Sequence, residues 1–244
     1  MTLAKQFAAY SKWRTQLSAG LEAFRKCLSE NELSDAQTEQ RIQQLLEKLR
    51  EDRLNVAFVA EFSRGKSELI NAIFFADYGN RMLPSTAGRT TMCPTELMYN
   101  PSKPPGIELL PIQTRETNAS ISEYKRFPDE WKVVPLNIKS ADSMQEALRS
   151  VSEVVRVTPE IAEKLGFASS SKESAVVRVA DDGMVEIPNW RHAIINFPHP
   201  LLKQGLVILD TPGLNAIGAE PELTLSQLPN AHAVLFILAA DTGV

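Results

Sequence analysis

The stretch Val56-Ala-Phe-Val-Ala-Glu-Phe-Ser-Arg-Gly-Lys-Ser-Glu-Leu-Ile-Asn-Ala72 joins a short apolar run to a sequence of helical character through a polar loop. The run at residues 56–60 has the length of a buried strand, and the apolar residues after Ser67 recur at helical spacing. From Ala60 to Ser67 the loop fits the pattern G-x-x-x-x-G-K-[ST], with alanine in place of the first glycine. A strand, this loop and a helix in that order predict a phosphate-binding loop.

The residue types in this loop indicate how it would hold a polyphosphate. Backbone N–H groups are expected to surround the β-phosphate, and the positive end of the following helix is expected to face it. Gly65 permits the backbone to approach closely because it has no side chain. Lys66 is expected to bridge the β- and γ-phosphates, and the hydroxyl of Ser67 to bind Mg²⁺.

A second motif, Asp210-Thr-Pro-Gly213, directly follows the apolar run Leu206–Leu209. An acidic residue at the end of a buried strand is where P-loop proteins hold Mg²⁺, usually through water. Gly213 is expected to offer its N–H to the γ-phosphate and to let the next loop move when that phosphate leaves. Alone this motif is typical of a turn, but together with the phosphate loop it predicts a metal site.

The segment Leu83–Thr95 lies between these two motifs and is rich in threonine and proline. A loop at this place is expected to be a mobile switch, in which one threonine completes the Mg²⁺ shell and touches the attacking water. Thr90 and Thr91 are both candidates for that role. The alternative is an inert surface loop.

These motifs together resemble those of the dynamin-like GTPases, most closely the bacterial branch that is related to the mitofusins. The segments that carry the resemblance are Glu61–Ala72, Leu83–Thr95 and Leu209–Leu214, within about residues 54–100 and 192–244. The resemblance implies an α/β fold of the P-loop GTPase type. It also implies Mg²⁺-dependent binding and hydrolysis of GTP, coupled in the full-length protein to self-assembly and membrane remodelling.

The resemblance also implies roles for single residues. The family's switch threonine falls on Thr91, and the serine that helps dynamins to hold a charge-compensating monovalent cation falls on Ser63. Phe62 stands where dynamin has a glutamine that orders the reacting water, so that contact is missing. Arg64 is either an extra positive charge near the phosphates or a solvent-facing side chain.

These inferences define the predicted site. The predicted catalytic residues are Lys66, Thr91 and Ser63, and the predicted Mg²⁺ ligands are Ser67, Thr91 and, through water, Asp210. The predicted nucleotide contacts are Ala60, Glu61, Phe62, Ser63, Arg64, Gly65, Lys66, Ser67, Glu68, Asp210 and Gly213. A monovalent cation is expected near Ser63, and GTP is the expected substrate.

Two domains are predicted along the chain. Residues 1–53 carry apolar residues at helical steps, and Ser34 with Gln37 fits a capping box that opens a second helix. This helical hairpin resembles the neck-bundle helices that precede the GTPase domain in the family. Residues 54–244 are predicted to be a partial dynamin-type GTPase domain with an elaboration at about 101–190.

Apolar runs in the larger domain predict its sheet. In the elaboration, Asp181-Asp-Gly183 lies between two such runs and predicts a β-hairpin. From His192 onward, continuous apolar runs alternate with helical patterns, and the last of these runs is Ala233–Ala240. Such runs predict a mostly parallel sheet with helices on both faces.

Composition excludes several classes of protein. The chain is 43% hydrophobic and 23% charged, as is typical of soluble globular proteins, and its net charge of −4 argues against broad nucleic-acid binding. Cys27 and Cys93 lack metal-ligand spacing. The longest apolar run is less than half of the ~20 residues that a bilayer requires. A cytoplasmic protein is therefore predicted, one that would bind a membrane only peripherally, on the inner face of the cell membrane.

The family reads guanine with an Asn/Thr-Lys-x-Asp motif after the next strand, and the chain ends at Val244 without it. The chain is therefore expected to be a fragment or the product of a short reading frame. Self-association is expected through the GTPase domain, and lipid contact through regions missing here. Two alternatives remain: another P-loop NTPase, using ATP or serving a non-dynamin role, and a catalytically inactive truncated interaction module.

Overall fold

The structure, a computed structural model, describes residues 3–31, 33–50, 53–60, 64–83, 93–117, 119–167, 178–179, 182–211 and 231–238. It divides into two compact units, Met1–Arg53 and Leu54–Val244. The helices are α1 (Leu3–Glu30), α2 (Ala36–Arg50), α3 (Lys66–Phe74), α4 (Ile121–Tyr124), α5 (Ala141–Arg149), α6 (Pro159–Lys164) and α7 (Pro200–Lys203). The strands are β1 (Leu54–Ala60), β2 (Thr95–Met98), β3 (Gly106–Pro111), β4 (Lys132–Pro135), β5 (Val154–Val157), β6 (Arg178–Val179), β7 (Val185–Pro188), β8 (Trp190–Asn196), β9 (Leu206–Asp210) and β10 (Ala233–Ile237).

The first unit consists of α1 and α2, which pack on each other. Arg25 of α1 and Glu39 of α2 form an ion pair between the two helices. None of the helices in the described ranges is both long enough and apolar enough to cross a membrane. An apolar stripe on α1 stays between 39 and 53% exposed: Tyr10, Trp13, Leu17 and Phe24.

The start of α2 differs from the predicted capping box at Ser34 and Gln37. The helix begins at Ala36, and the carboxylate of Asp35 accepts the backbone N–H of Thr38 at 2.7 Å. That hydrogen bond lowers the pKa of Asp35, because it stabilises the charged form. The prediction was wrong by one residue, since aspartate caps a helix as well as serine does.

The larger unit is built on a sheet with the strand order β10-β1-β9-β2-β8-β3-β4. Strand β1 is parallel to β10 and β9, and β2 is parallel to β8. The pairs β2–β9, β3–β8 and β3–β4 are antiparallel. The sheet is therefore more mixed than predicted, because continuous apolar runs report burial on both faces and not strand direction.

Helices cover both faces of this sheet. On one face, Phe74 of α3, Leu148 of α5 and Leu202 of α7 belong to one apolar cluster with Phe58 of β1 and Ile208 of β9. On the other face, α4 and the buried Trp131 pack near the alternate residues of the same strands. Burial on both faces explains why β1, β8 and β9 are nearly continuous apolar runs.

Only the later part of the predicted elaboration at about 101–190 forms a second, three-stranded sheet, with the order β5-β7-β6, because β3 and β4 belong to the main sheet. Strands β6 and β7 pair antiparallel, with Arg178 opposite Glu186, as the predicted hairpin requires. Helix α6 packs on this sheet through a separate apolar cluster that includes Leu165 and Phe167. The region therefore has a small core of its own.

A buried ionic cluster joins the main sheet to α4. Glu96 of β2 is 6% exposed, and both of its carboxylate oxygens accept from the Lys125 ammonium, at 2.7 and 2.9 Å. Nε2 of the buried His192, on β8, lies 3.1 Å from the same carboxylate. Burial by itself raises the pKa of Glu96, but His192 and Lys125 together outweigh it and lower that pKa from 4.5 to about 2.

Replacing this carboxylate should destabilise the protein in a pH-dependent way. A pKa lowered from 4.5 to about 2 corresponds to about 3 kcal/mol of unfolding free energy, which Glu96→Gln should remove near neutral pH. Because the folded pKa is the lower one, this contribution is complete above about pH 5 and disappears as the pH falls toward about 2. Denaturant unfolding of the unchanged protein and of Glu96→Gln, from neutral pH down to about pH 2, measures this difference in unfolding free energy.

Glu108→Gln on β3, a strand of the same sheet, is the matched control. Glu108 pairs with Lys103, whose side chain is 47% exposed, so its removal should cost less than about 1 kcal/mol. A Glu96→Gln protein as stable as the control at neutral pH would contradict a stabilising role for the cluster.

Candidate functional site

The phosphate-loop sequence lies between β1 and α3, as predicted. Strand β1 ends at Ala60, which is buried, and α3 begins at Lys66. Gly65 precedes the helix with φ 82°, in the left-handed region that side-chain-bearing residues rarely adopt. Its carbonyl accepts the N–H of Leu69 at 2.9 Å, so the glycine turns the chain directly into the helix.

Lys66 and Asp210 meet at this end of the sheet. Strands β1 and β9 are parallel, with Phe58 opposite Asp210, so both strands end at the same edge. Lys66 is 8% exposed and Asp210 is 4% exposed, and Nζ lies 2.8 Å from Oδ1. The contact is an ion pair without hydrogen-bond alignment, and neither atom has a hydrogen-bond partner among the described residues. Two buried, mutually compensated charges are thus available to a polar ligand.

Two buried threonines that were not predicted as site residues lie beside this arrangement. The hydroxyl of Thr211, which is buried, donates to the carbonyl of Phe58 at 2.9 Å and ties the end of β9 to β1. Thr95, at the start of β2, lies opposite Asp210 in the antiparallel register and is 4% exposed. Both are polar residues beside a predicted motif, which is the signal that marks them in the sequence.

The described residues fit a magnesium ion. Ser67 is in the first turn of α3, which follows β1, and Asp210 ends β9, which pairs with β1. A hydroxyl and a carboxylate therefore lie at one edge of the sheet. Oxygen atoms of this kind are the ligands that Mg²⁺ prefers. The observation that supports the fit is the buried Oδ1 of Asp210, which is ion-paired with Lys66 but has no hydrogen-bond partner among the described residues.

Glu68 is directed to a different contact. Its carboxylate lies 3.1 Å from Nε of Arg81, with side-chain exposures of 41% for Glu68 and 66% for Arg81. Arg64, just before the helix, is partly buried and engaged in a contact. The predicted roles of both residues at the nucleotide remain predictions.

Several predicted site residues lie outside the described ranges. They are Glu61, Phe62, Ser63, Thr90, Thr91 and Gly213. The structure therefore brings together Gly65, Lys66, Ser67 and Asp210, with Ala60 at the end of β1. The switch threonine and the serine proposed for a monovalent cation stay predictions.

Known proteins are similar in sequence to this chain. The sequence profile of the dynamin family matches residues 56–244. A bacterial dynamin-like protein of Nostoc punctiforme (strain ATCC 29133 / PCC 73102) is 24% identical over 183 residues, which are 75% of this chain and 20% of that protein. The chain thus spans about a fifth of that relative's length.

Two solved protein chains are also similar to this one. Both come from an oligomerised bacterial dynamin pair, which is described as providing a mechanism for the long-range sensing and tethering of membranes. The first has a TM-score of 0.46 and 17% identity, and covers 97% of this chain and 29% of that chain. The second has a TM-score of 0.38 and 21% identity, and covers 79% and 23%.

The profile match confirms the predicted resemblance to bacterial dynamin-like GTPases and the predicted α/β P-loop fold class. The relation to the mitofusin branch stays a prediction. Because the match extends over most of the chain and includes both Lys66 and Asp210, the chain belongs to the dynamin family.

Proposed function

We propose that this chain binds GTP together with Mg²⁺ and that the protein containing it hydrolyses the bond to the γ-phosphate. The observation that carries the proposal is the buried contact of 2.8 Å between Lys66 and Asp210 at the start of α3. Membership of the dynamin family supports GTP as the substrate.

The residues of the site act by position and charge. Lys66 would leave Asp210 to meet the β- and γ-phosphates, where its charge offsets the negative charge that develops during transfer. Ser67 would hold Mg²⁺ directly and Asp210 through water. When bound, the metal ion neutralises phosphate charge and orients the leaving group. No protein nucleophile is required, because phosphoryl transfer to water depends on positioning and electrostatics.

The remaining roles are proposed for residues outside the described ranges. Thr91 would complete the metal shell and touch the attacking water. The N–H of Gly213 would contact the γ-phosphate, and Ser63 would lie near a monovalent cation. The rest of the loop, Glu61 and Phe62 included, would supply backbone N–H groups to the phosphates.

The cellular setting is part of the proposal. Dynamin family membership favours self-association through the GTPase domain, coupled to membrane remodelling. We place the protein in the cytoplasm, peripherally at the inner face of the membrane, with lipid contact made by parts of a longer protein. Nucleic acid is not a proposed partner, given the net charge of −4.

Lys66→Ala should weaken binding of a labelled GTP analogue by about 100-fold or more, because a charged hydrogen-bond donor to phosphate is lost. The change also leaves the Asp210 carboxylate buried without its partner, so the loss could come from misfolding. A double variant, Lys66→Met with Asp210→Asn, removes both charges and separates the two causes. It should stay folded in thermal unfolding and still fail to bind.

Lys103→Ala, which removes a surface lysine paired with Glu108, is the control for charge alone and should bind normally. Wild-type affinity in a folded Lys66→Ala protein would disprove the phosphate-loop assignment.

Thr91→Ala should leave nucleotide affinity nearly unchanged and reduce turnover. Losing one preorganised contact to metal and water should raise the barrier by about 3 kcal/mol, which is roughly a hundredfold in rate. Thr90→Ala is the matched control and should have a much smaller effect. Single-turnover hydrolysis of GTP by the two variants measures the difference, and a reversed ranking would move the switch role to Thr90.

Competition between GTP and ATP tests the base preference. In the full-length protein, GTP should displace a labelled GTP analogue at a concentration lower than ATP by about a hundredfold or more, because a site that hydrogen-bonds the base edge rejects the wrong base strongly. Equal displacement by the two nucleotides would favour the alternative of an ATP-using P-loop NTPase. The absence of both specific nucleotide binding and hydrolysis would favour the alternative of a catalytically inactive interaction module.

A further inference from the structure

Asn71 lies on α3, the helix that begins with Lys66, and its side chain is buried at 7% exposure. Its amide makes hydrogen bonds to backbone that is more than ten residues further along the chain. Oδ1 accepts the N–H of Met82 at 3.1 Å and the N–H of Leu83 at 2.8 Å. Nδ2 donates to the carbonyl of Leu83 at 3.1 Å. The side chain thus satisfies both backbone groups of Leu83, as a neighbouring strand would.

Two further contacts hold the same segment. Arg81 forms the ion pair with Glu68, one turn before Asn71 on α3. The amide of Gln145, on α5, donates to the carbonyl of Arg81 at 2.7 Å. Side chains of two helices therefore fix the backbone of three consecutive residues, 81–83, which has no regular secondary structure of its own.

The position of this segment gives the contacts their significance. Residues 81–83 come directly before residues 84–92, which contain both candidate switch threonines. After that loop the chain is held again, because the carbonyl of Pro94 accepts the N–H of Ala193 at 3.0 Å and Thr95 lies beside Asp210. The loop therefore leaves from a point fixed to the lysine-bearing helix and returns beside the aspartate.

The distances are short enough for a direct mechanical link. Asn71 is four residues from Ser67 along a continuous helix, a rise of about 6 Å. A displacement of the 81–83 backbone relative to α3 would thus be a displacement relative to the residues proposed to hold metal and phosphate. Positional errors of about 1 Å can cost up to ~100-fold in rate even when they arise away from the reacting atoms.

We propose that Asn71 is a positioning residue for GTP hydrolysis: it ties the start of the switch loop to the helix that carries Lys66 and Ser67. The proposal rests on the proposed GTPase function. No contact with nucleotide or metal is proposed for Asn71. It acts through the backbone of Met82 and Leu83, so its loss should affect the rate of transfer more than the affinity for nucleotide.

Asn196 provides a matched control within the same domain. It is 5% exposed, ends β8, and its amide makes hydrogen bonds of 2.8–3.2 Å with the backbone of Asn100, Lys103 and Pro104. Because β8 is parallel to β2, with Asn196 opposite Met98, it lies three residues from the Thr95 position, about 10 Å away from the Asp210 edge. Asn196→Ala therefore removes comparable hydrogen bonds elsewhere in the domain.

The experiment compares Asn71→Ala, Asn196→Ala, Lys66→Ala and the unchanged protein. For each, thermal unfolding, the Kd of a non-hydrolysable GTP analogue, and kcat for GTP are measured. Asn71→Ala should lower kcat by about 10- to 100-fold and change Kd by less than about threefold. Asn196→Ala should lower the unfolding temperature to a similar extent and leave kcat within about threefold.

Asn71→Asp refines the result. A carboxylate at this position still accepts the N–H groups of Met82 and Leu83 but can no longer donate to the Leu83 carbonyl. It should retain part of the turnover that alanine loses. A second readout needs no turnover: nucleotide should protect Arg89, the only basic residue between 84 and 92, from trypsin in the unchanged protein and in Asn196→Ala, but much less in Asn71→Ala.

Each outcome decides one claim. If Lys66→Ala abolishes binding while Asn71→Ala matches Asn196→Ala in kcat and in protection of Arg89, the positioning role is wrong and the proposed function stands. An equal loss of kcat in Asn71→Ala and Asn196→Ala would also contradict the positioning role, because it would show that lost stability alone lowers kcat. If the unchanged protein binds GTP no better than Lys66→Ala, the proposed function fails, and this inference fails with it.

Discussion

The burial of two opposite charges at one edge of the sheet is the constraint on which the site depends. Lys66 and Asp210 are each less than a tenth exposed. Removing either charge from water is costly unless the other lies close by, and the approach of 2.8 Å provides that partner. The contact requires β1 and β9 to be adjacent and parallel, because only then do the phosphate loop and Asp210 leave the sheet at one edge. Ligands of open α/β sheets bind at this carboxyl edge.

A third segment of the chain reaches this edge of the sheet because β2 is antiparallel to β9. Since β2 runs opposite to β9, its first residue, Thr95, and not its last, lies beside Asp210. The residues before β2 therefore reach the site, and Asn71 holds the other end of that loop to α3. The described residues on either side of residues 84–92 are thus held to the elements that carry Lys66 and Asp210.

Two buried polar side chains of the larger unit, those of Glu96 and Asn196, are each held by a specific set of partners. Glu96 keeps its charge in the interior only because Lys125 and His192 compensate it, and the pKa of about 2 reflects that compensation. Asn196 closes the turn at residues 100–104 in the same manner, with hydrogen bonds in place of charge. Such groups favour one register and one loop conformation, because any other arrangement leaves a buried polar atom without a partner.

The sequence by itself determined the strand Leu54–Ala60, the helix that begins at Lys66, the glycine turn between them and the position of Asp210 at the end of a buried strand. These features are local: Gly65, Lys66 and Ser67 act within one turn of chain, and their residue types state the chemistry. Strand order and direction, the burial of Glu96 and the contacts of Asn71 were decided only by the tertiary structure. Apolar runs report that a strand is buried but not which way its neighbour runs, and Glu96 and His192 are 96 residues apart in the chain. A contact between residues so far apart in the sequence forms only when the folded sheet brings β2 and β8 side by side.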